Sequence, residues 1–415
     1  MVELQPIKAI VYNQEKVNMD NTIAPPYDVI DEKYREDLLS RSAYNIVKLI
    51  LPEGENKYEN AHKIFEQWKN EKVLIPTEKP SVFYIIQKYT NEKGKFIERK
   101  GFIARNRIED FSTKNILPHE YTMGGPKQDR LNLVTAAKAF FSQIFMVYND
   151  KEMKIEKEIL PKYLAKKPFI DVKDDLDVEN IVYIIDDEKD IALIQKTLSD
   201  KTLLIADGHH RYETSMNYSN LHPENECAKY VMSYFTNAAD ENLIIYPTHR
   251  IVEKEIPSEE ILSKVSKHYD VEKYTNKDEF LNKIEEENQK QITTGLILKN
   301  DDNYYVLKLK NGEEKAVDAP EVLQKLDLKV LHELILKGEL GFTDEELMAQ
   351  NGIKYEKKEN VSFDSVKNGA SACFIMAYPK MEDIINISQQ GYRMPQKSTY
   401  FYPKLLSGIV INPLG

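Results

Sequence analysis

A short apolar run that empties directly into a dense polar cluster constrains this chain more than any other feature. Leu203-Leu204-Ile205-Ala206 has the composition of a buried strand, and Asp207-Gly208-His209-His210-Arg211-Tyr212-Glu213-Thr214-Ser215 follows without a break. Tyr212, Met216 and Leu221 then recur at roughly helical spacing, so the chain is predicted to turn from strand to helix at Asp207-Gly208. The first N–H groups of such a helix, from Gly208 to Arg211, have no intrahelical partner and carry the positive end of the macrodipole, which favours an anion. Gly208 lets that anion come close to the backbone. The segment reads as a phosphate-handling site.

Read alone, Asp207 is as well explained by an N-cap as by catalysis. A cap does not require two histidines and an arginine straight after it, whereas a phosphate site uses an arginine as a bidentate fork and a histidine as a donor. His209 and His210 are successive, about 100° apart on a helix, and so cannot chelate one metal together. Arg211, Thr214, Ser215 and Tyr218 share one helical face, either the polar wall of a pocket or a solvated side.

Upstream, Ile116-Leu117-Pro118-His119-Glu120-Tyr121-Thr122 is followed by Gly124-Gly125-Pro126-Lys127-Gln128-Asp129-Arg130. The Gly-Gly-Pro run is expected to break regular structure before Asp129 opens a helix to Phe141, with Leu131, Val134, Ala137 and Phe141 facing inward. Glu120 then lies on a loop between a strand ending near Ile108 and that helix. It is either an ordinary surface Glu or, beside His119, a carboxylate positioned as general base for a hydroxyl nucleophile.

These motifs carry two resemblances. Ala24-Pro25-Pro26-Tyr27-Asp28-Val29-Ile30, Pro118-His119-Glu120, Asp207-Gly208-His209-His210-Arg211, Pro247-Thr248-His249-Arg250 and Lys397-Ser398-Thr399-Tyr400-Phe401-Tyr402-Pro403-Lys404 resemble the hallmarks of the domain-of-unknown-function family numbered 1015, over almost the whole chain. The second and third motifs, within Gly101 to Arg250, also resemble the paired motifs of free serine kinases in the ParB/sulfiredoxin-like superfamily. That resemblance implies Glu120 as base and the second motif around the nucleotide phosphates, with free L-serine converted to O-phosphoserine. Sulfiredoxin has a catalytic cysteine in its signature where this chain has His209-His210, so the same thiol chemistry is not expected here.

The coarse reading is α+β: a ParB/sulfiredoxin-like mixed α/β catalytic core over about 101–252, preceded by N-terminal elements, and a C-terminal α/β domain over 253–415 whose tail, about 391–415, returns toward the active site or docks as packing. Strands are predicted at Val2 to Val11, Asn45 to Leu51, Gln143 to Tyr148, Ile181 to Ile185, Tyr230 to Phe235, Leu243 to Val252, Thr293 to Leu298 and Tyr304 to Leu309. Val82 to Tyr89 and Lys95 to Ile108 read as a hairpin. Helices are predicted at Asp31 to Leu39, Lys57 to Lys72, Glu188 to Leu198, Glu259 to His268 and Lys277 to Glu285. Charge-rich stretches at Lys151 to Glu158 and Glu279 to Lys290 read as solvated helix faces. Trp68, His332 and Met348 read as packing residues, and Asp28 as either a turn residue or part of the site.

With 415 residues and a net charge of −11, the chain has enough length for two or three cores and an acidic balance that argues against a nucleic-acid partner. Two cysteines, Cys227 and Cys373, form neither a disulfide framework nor a metal motif. No run approaches membrane-spanning length and the N-terminus does not read as a signal segment, so the cytoplasm is expected. The favoured expectation is a small-molecule phosphotransferase. Glu120 is the base, with His119 orienting it, and Asp207 holds Mg²⁺. Gly208, His209, His210, Arg211 and Thr214 hold phosphate, with His249, Arg250, Lys397, Ser398, Thr399 and Lys404 as further nucleotide contacts. ADP, ATP or pyrophosphate suits as donor. The rival expectations are a ParB-like nucleotide-binding switch or adaptor and a phosphohydrolase acting on phosphoserine or a similar ester. The sequence is silent on oligomeric state.

Overall fold

The structure is a computed structural model that describes residues 1–122 and 124–415. Two compact units emerge from the contacts. The first comprises Met1–Pro118, Thr122–Ile244 and Pro403–Gly415, the second His119–Tyr121 and Ile245–Tyr402. Each mixes helices with sheets, as an α+β chain should.

In the first unit the strands run β1 (Leu4–Gln5), β2 (Ile10–Tyr12), β3 (Leu74–Pro76), β4 (Val82–Thr90), β5 (Phe96–Arg107), β6 (Ile116–Pro118), β7 (Ala139–Phe140), β8 (Ile144–Tyr148), β9 (Ile170–Lys173), β10 (Glu179–Ile185), β11 (Leu203–Asp207) and β12 (Tyr230–Asn237). Its helices are α1 (Glu32–Arg41), α2 (Val47–Ile50), α3 (Lys57–Asn70), α4 (Gly124–Ala137), α5 (Lys154–Glu158), α6 (Leu160–Leu164), α7 (Glu188–Ser199) and α8 (His209–Leu221). One mixed sheet dominates, in the order β6-β11-β8-β12-β5-β4-β10-β9, with β1 also paired to β5. The β4–β5 hairpin is antiparallel, from Phe83 opposite Ile103 to Thr90 opposite Phe96.

At one edge β6 and β11 run parallel, with Leu203 opposite Ile116, Leu204 opposite Leu117 and Ile205 opposite Pro118. Leu203, Leu204 and Ile205 are buried, contributing about 1.5–3 kcal/mol each, so the apolar run is firmly held where the polar cluster begins. Pro118 closes the edge strand, where a missing N–H costs no ladder bond. Against β8, β11 shifts register between Ile205 and Asp207, an irregularity of the kind that re-aims a strand end.

Several local expectations give way to packing. Asn45 to Leu51 is not a strand: Val47, Leu49 and Ile50 are buried within the short helix α2. A brief apolar run fits a buried helix turn as well as a strand. Val2 to Val11 divides into β1 and β2, and Leu243 to Val252 into two strands. Helix α4 begins at Gly124, so Gly-Gly-Pro lies inside its first turn, and Phe141 lies past its end at Ala137. Proline is tolerated there because first-turn N–H groups have no helical acceptor. Leu221 and Met348 are exposed, not packed.

The second unit continues with β13 (Ile244–Tyr246), in which the chain leaves the first unit, and β14 (His249–Val252), β15 (Tyr269–Tyr274), β16 (Thr293–Leu298), β17 (Tyr304–Leu309), β18 (Ile353–Glu356), β19 (Ala372–Met376) and β20 (Tyr400–Tyr402). Its main sheet is antiparallel throughout, ordered β15-β17-β16-β19-β14-β18. Helices α9 (Ser258–His268) and α10 (Lys277–Glu287) pack on it, with Phe280 and Ile284 against Ile297, Val306 and Ile375. Helix α11 (Asp327–Val330) continues into a π-helix at Leu331–Glu339 that buries His332. After Tyr402 the chain returns to the first unit, where β21 (Asn412–Pro413) pairs with β7. Among the described residues no helix is long and apolar enough to cross a membrane.

Candidate functional site

In the first unit the turn from β11 to α8 is made by Gly208, which occupies the N-cap position at φ 91°, ψ 29° and has no side chain to cap the helix. Only glycine adopts that backbone cheaply. Asp207 is therefore not the cap. Its Oδ2 accepts from Arg211 at 2.6 Å and its Oδ1 from Lys404 Nζ at 2.7 Å. Arg211 also donates to the Gln143 carbonyl, and its guanidinium lies over Gly208, where a Cβ would stand 3.0 Å from Cζ.

Burial alone would raise the Asp207 pKa, but the Lys404 ammonium and the Arg211 guanidinium, with His209 beside them, hold the carboxyl ionised well below its ordinary range. With a cation on each oxygen, Asp207 does not fit the role of magnesium ligand, since the ion would first have to displace a bound ammonium or guanidinium. Among the described residues no three His, Cys, Asp or Glu side chains gather as metal ligands would.

The face of α8 that carries Thr214, Ser215 and Tyr218 is buried, so it is a packed wall and not a solvated side. Thr214 Oγ1 donates to the Lys127 carbonyl at 3.3 Å, and Ser215 Oγ to the Arg211 carbonyl at 2.8 Å. A narrow cavity of about 40 Å³ opens beside them, lined among others by Tyr27, Arg130, Ser142, Arg211 and Ser215. Arg130 stacks over the Tyr27 ring, 4.2 Å from its centroid, and pairs with Asp129, which also accepts from Lys57 and Tyr58 at 2.8 Å. Burial opposes ionisation of Asp129, yet Lys57 and Arg130 bring its pKa down to about 2. His209 is buried and His210 half-buried at the start of α8.

In the second unit His119 is fully buried, its Nε2 shared with Thr399 Oγ1 at 2.9 Å and its ring edge-on to Phe401 at 6.0 Å. Glu120 Oε1 stands 3.6 Å from the same nitrogen, beyond hydrogen-bond range, so Thr399 is the closer partner. Glu120 bridges Met394 in parallel fashion, and Met394 N–H donates to the His119 carbonyl at 2.8 Å. Arg250, also fully buried, donates to the Thr248 carbonyl, to Lys397 O at 3.0 Å and to His332 Nε2 at 3.3 Å, with Tyr355 4.9 Å beneath it. Burial lowers its pKa to about 10. His249 accepts from Met376 N–H at 3.1 Å, and burial, helped by Arg250, pushes its pKa down to about 3, which keeps the ring neutral. Ser398 donates to the Pro395 carbonyl. A larger cavity of about 560 Å³ lies in this unit, with Thr248, Arg250, Asp327 and Ser398 among its lining.

A family model described as "Protein of unknown function (DUF1015)" matches residues 4–329. The chain belongs to the DUF1015 family.

No curated protein matches this DUF1015 sequence. Eight chains of solved structure do. A free serine kinase variant in complex with ADP is 14% identical, over 70% of this chain and 87% of its own, with a TM-score of 0.36. A free serine kinase in complex with AMP is 16% identical, over 70% and 86%, with the same TM-score of 0.36. SbnI with a C-terminal truncation, from Staphylococcus aureus, is 9% identical over 74% and 85%, also at 0.36.

Within this DUF1015 chain the first unit thus holds Asp207, Gly208, His209, His210, Arg211, Thr214 and Lys404, and the second holds His119, Glu120, His249, Arg250, Lys397, Ser398 and Thr399. Of these, Asp207, Gly208, Arg211 and Lys404 make one interlocked cluster. Sequence reasoning did not foresee the salt bridge of Asp207 with Lys404, nor the stacking of Tyr27 with Arg130. The signal for the latter was the Pro25-Pro26-Tyr27-Asp28 motif, which places an aromatic ring after a rigid turn.

Proposed function

We propose that this protein is a phosphotransferase that moves a phosphoryl group from a nucleotide to the hydroxyl of a small molecule, with L-serine the acceptor that the paired motifs imply. The observation that carries this reading is the parallel pairing of β6 and β11, with Pro118 opposite Ile205. Parallel strands end on the same side of a sheet, so the Pro-His-Glu and Asp-Gly-His-His-Arg motifs both begin at one sheet end, each within two residues of a paired position. Ligands of sheets with parallel strands gather at such carboxyl ends.

In this reading the ParB/sulfiredoxin-like core supplies a helix start at Gly208 that receives the donor phosphates, with His209, His210 and Arg211 around them. Asp207 aligns Arg211 and Lys404 and stays ionised throughout. Glu120 accepts the proton of the acceptor hydroxyl, and the buried His119, anchored by Thr399, keeps its neighbour in place. ADP or ATP is the donor, and the cytoplasm, which holds both nucleotide and free serine, is the setting.

A test combines a thermal-shift panel of nucleotides with an assay for labelled phosphoserine. The expected result is a raised melting temperature with ADP or ATP and phosphoserine formation. Glu120→Gln should cut turnover by roughly 100-fold or more while sparing nucleotide binding. Free phosphate from phosphoserine alone, with no transfer from nucleotide, would replace this reading by hydrolysis.

A further inference from the structure

We propose that Thr122 is itself a phosphoryl acceptor, modified by the same bound nucleotide. This rests on the phosphotransferase reading. Thr122 Oγ1 lies 2.9 and 2.8 Å from the two carboxylate oxygens of Glu213. Lys127 Nζ stands 2.9 Å from that hydroxyl and 2.6 Å from Glu213 Oε2. An ammonium can only donate, so the hydroxyl accepts from Lys127 and directs its own proton at Glu213.

That is the arrangement of an activated nucleophile: a hydroxyl within reach of a carboxylate base, the base oriented by a third group. The Lys127–Glu213 pair is complete without the hydroxyl, its charged atoms 2.6 Å apart with side chains 27% and 23% exposed.

Glu213 is four residues into α8, which begins at His209, so it sits about 6 Å along the axis from the helix start that receives the phosphates in the proposed function, and helical side chains lean toward the N-terminus. All three groups belong to the first unit, as does Gly208.

In the step itself, Thr122 Oγ1 attacks the terminal phosphorus of a nucleoside di- or triphosphate. The new O–P bond forms as the bond from phosphorus to the bridging oxygen breaks, the nucleotide leaves with that electron pair, and the hydroxyl proton passes to Glu213. Lys127 then pairs with the phosphate of the product.

The experiment incubates the full chain with ATP and, separately, with ADP, and reads the Thr122 peptide by tandem mass spectrometry. One added phosphoryl group on Thr122 is expected, with the rate in Glu213→Gln lowered on the order of 100-fold although its melting curve matches wild type. Glu120→Gln should keep the Thr122 modification while losing serine turnover. Serine phosphorylation with an unmodified Thr122 overturns the inference and leaves the phosphotransferase reading intact. Modified Thr122 without serine turnover supports the inference and removes serine as acceptor. Absence of transfer from either nucleotide to any acceptor sinks both.

Discussion

Replacing Asp207 by Asn removes a negative charge that Lys404 and Arg211 share. The three side chains are 20%, 14% and 12% exposed, so both cations would be left largely out of water without their counter-charge. Breaking a buried pair from one side costs about 3–5 kcal/mol, and this partial exposure argues for the lower end, about 3 kcal/mol. In a unit of roughly 250 residues each kcal/mol moves the melting temperature by about 2–4 °C, giving a drop of about 6–12 °C.

Trp68, the single tryptophan, is buried in the first unit against Tyr12 and Tyr44, so its fluorescence during urea titration reports that unit. Adding Lys404→Met to the Asn variant should recover part of the loss, with a coupling of about 1–3 kcal/mol in the double-mutant cycle. Because Asp207 is held ionised below its unfolded pKa of about 3.9, its contribution is present above that pH and is lost as pH falls beneath it. The Asn variant should therefore show a shallower loss of stability in acid. A variant within about 0.5 kcal/mol of wild type, or strict additivity in the cycle, would refute the ion cluster as the clasp of this turn.

Two further substitutions test neighbouring claims. Gly208→Ala should cost about 1–2 kcal/mol and push Arg211 off Asp207, because φ is 91° and the new Cβ meets the guanidinium; unchanged Trp68 unfolding would count against it. Asp327, raised to about 6 chiefly by burial and further by Asp383 and Glu285, keeps its proton in the folded state over a range where the unfolded chain releases it. The second unit should therefore lose up to about 3 kcal/mol as pH rises from about 4 to about 6, and Asp327→Asn should abolish that slope. Amide hydrogen exchange in β14 and β19 measures it, and an identical slope in the variant would disprove the assignment.

Local chemistry explains which parts could be read in advance. The turn at Asp207-Gly208 was legible because an apolar run, a glycine and a helical repeat agree between Leu203 and Leu221. The β4–β5 hairpin and helices α3, α7, α9 and α10 were legible for the same reason. Helix α2 was not, since four residues, three of them buried, show no period that separates strand from helix. Arg250 and His249 carry the look of a binding motif, yet each finds its partners inside its own sheet and tail, a fact set by tertiary contacts that spacing does not encode. Thr122, Lys127 and Glu213 are individually unremarked polar residues that only the folded chain brings together, from the loop before α4, from α4 and from α8.

Lys404 lies 197 positions after the carboxylate it clasps. A ribosome working at about 5–20 residues per second produces the ammonium roughly 10–40 s after Asp207 has emerged into sequence. Throughout that interval the acid lacks one of its two ion-pair partners, and the segment that pairs with β7 does not yet exist. The earlier-made unit thus waits for the whole of the later one to be synthesised, and the turn at Gly208 gains its second cation only as translation nears its end.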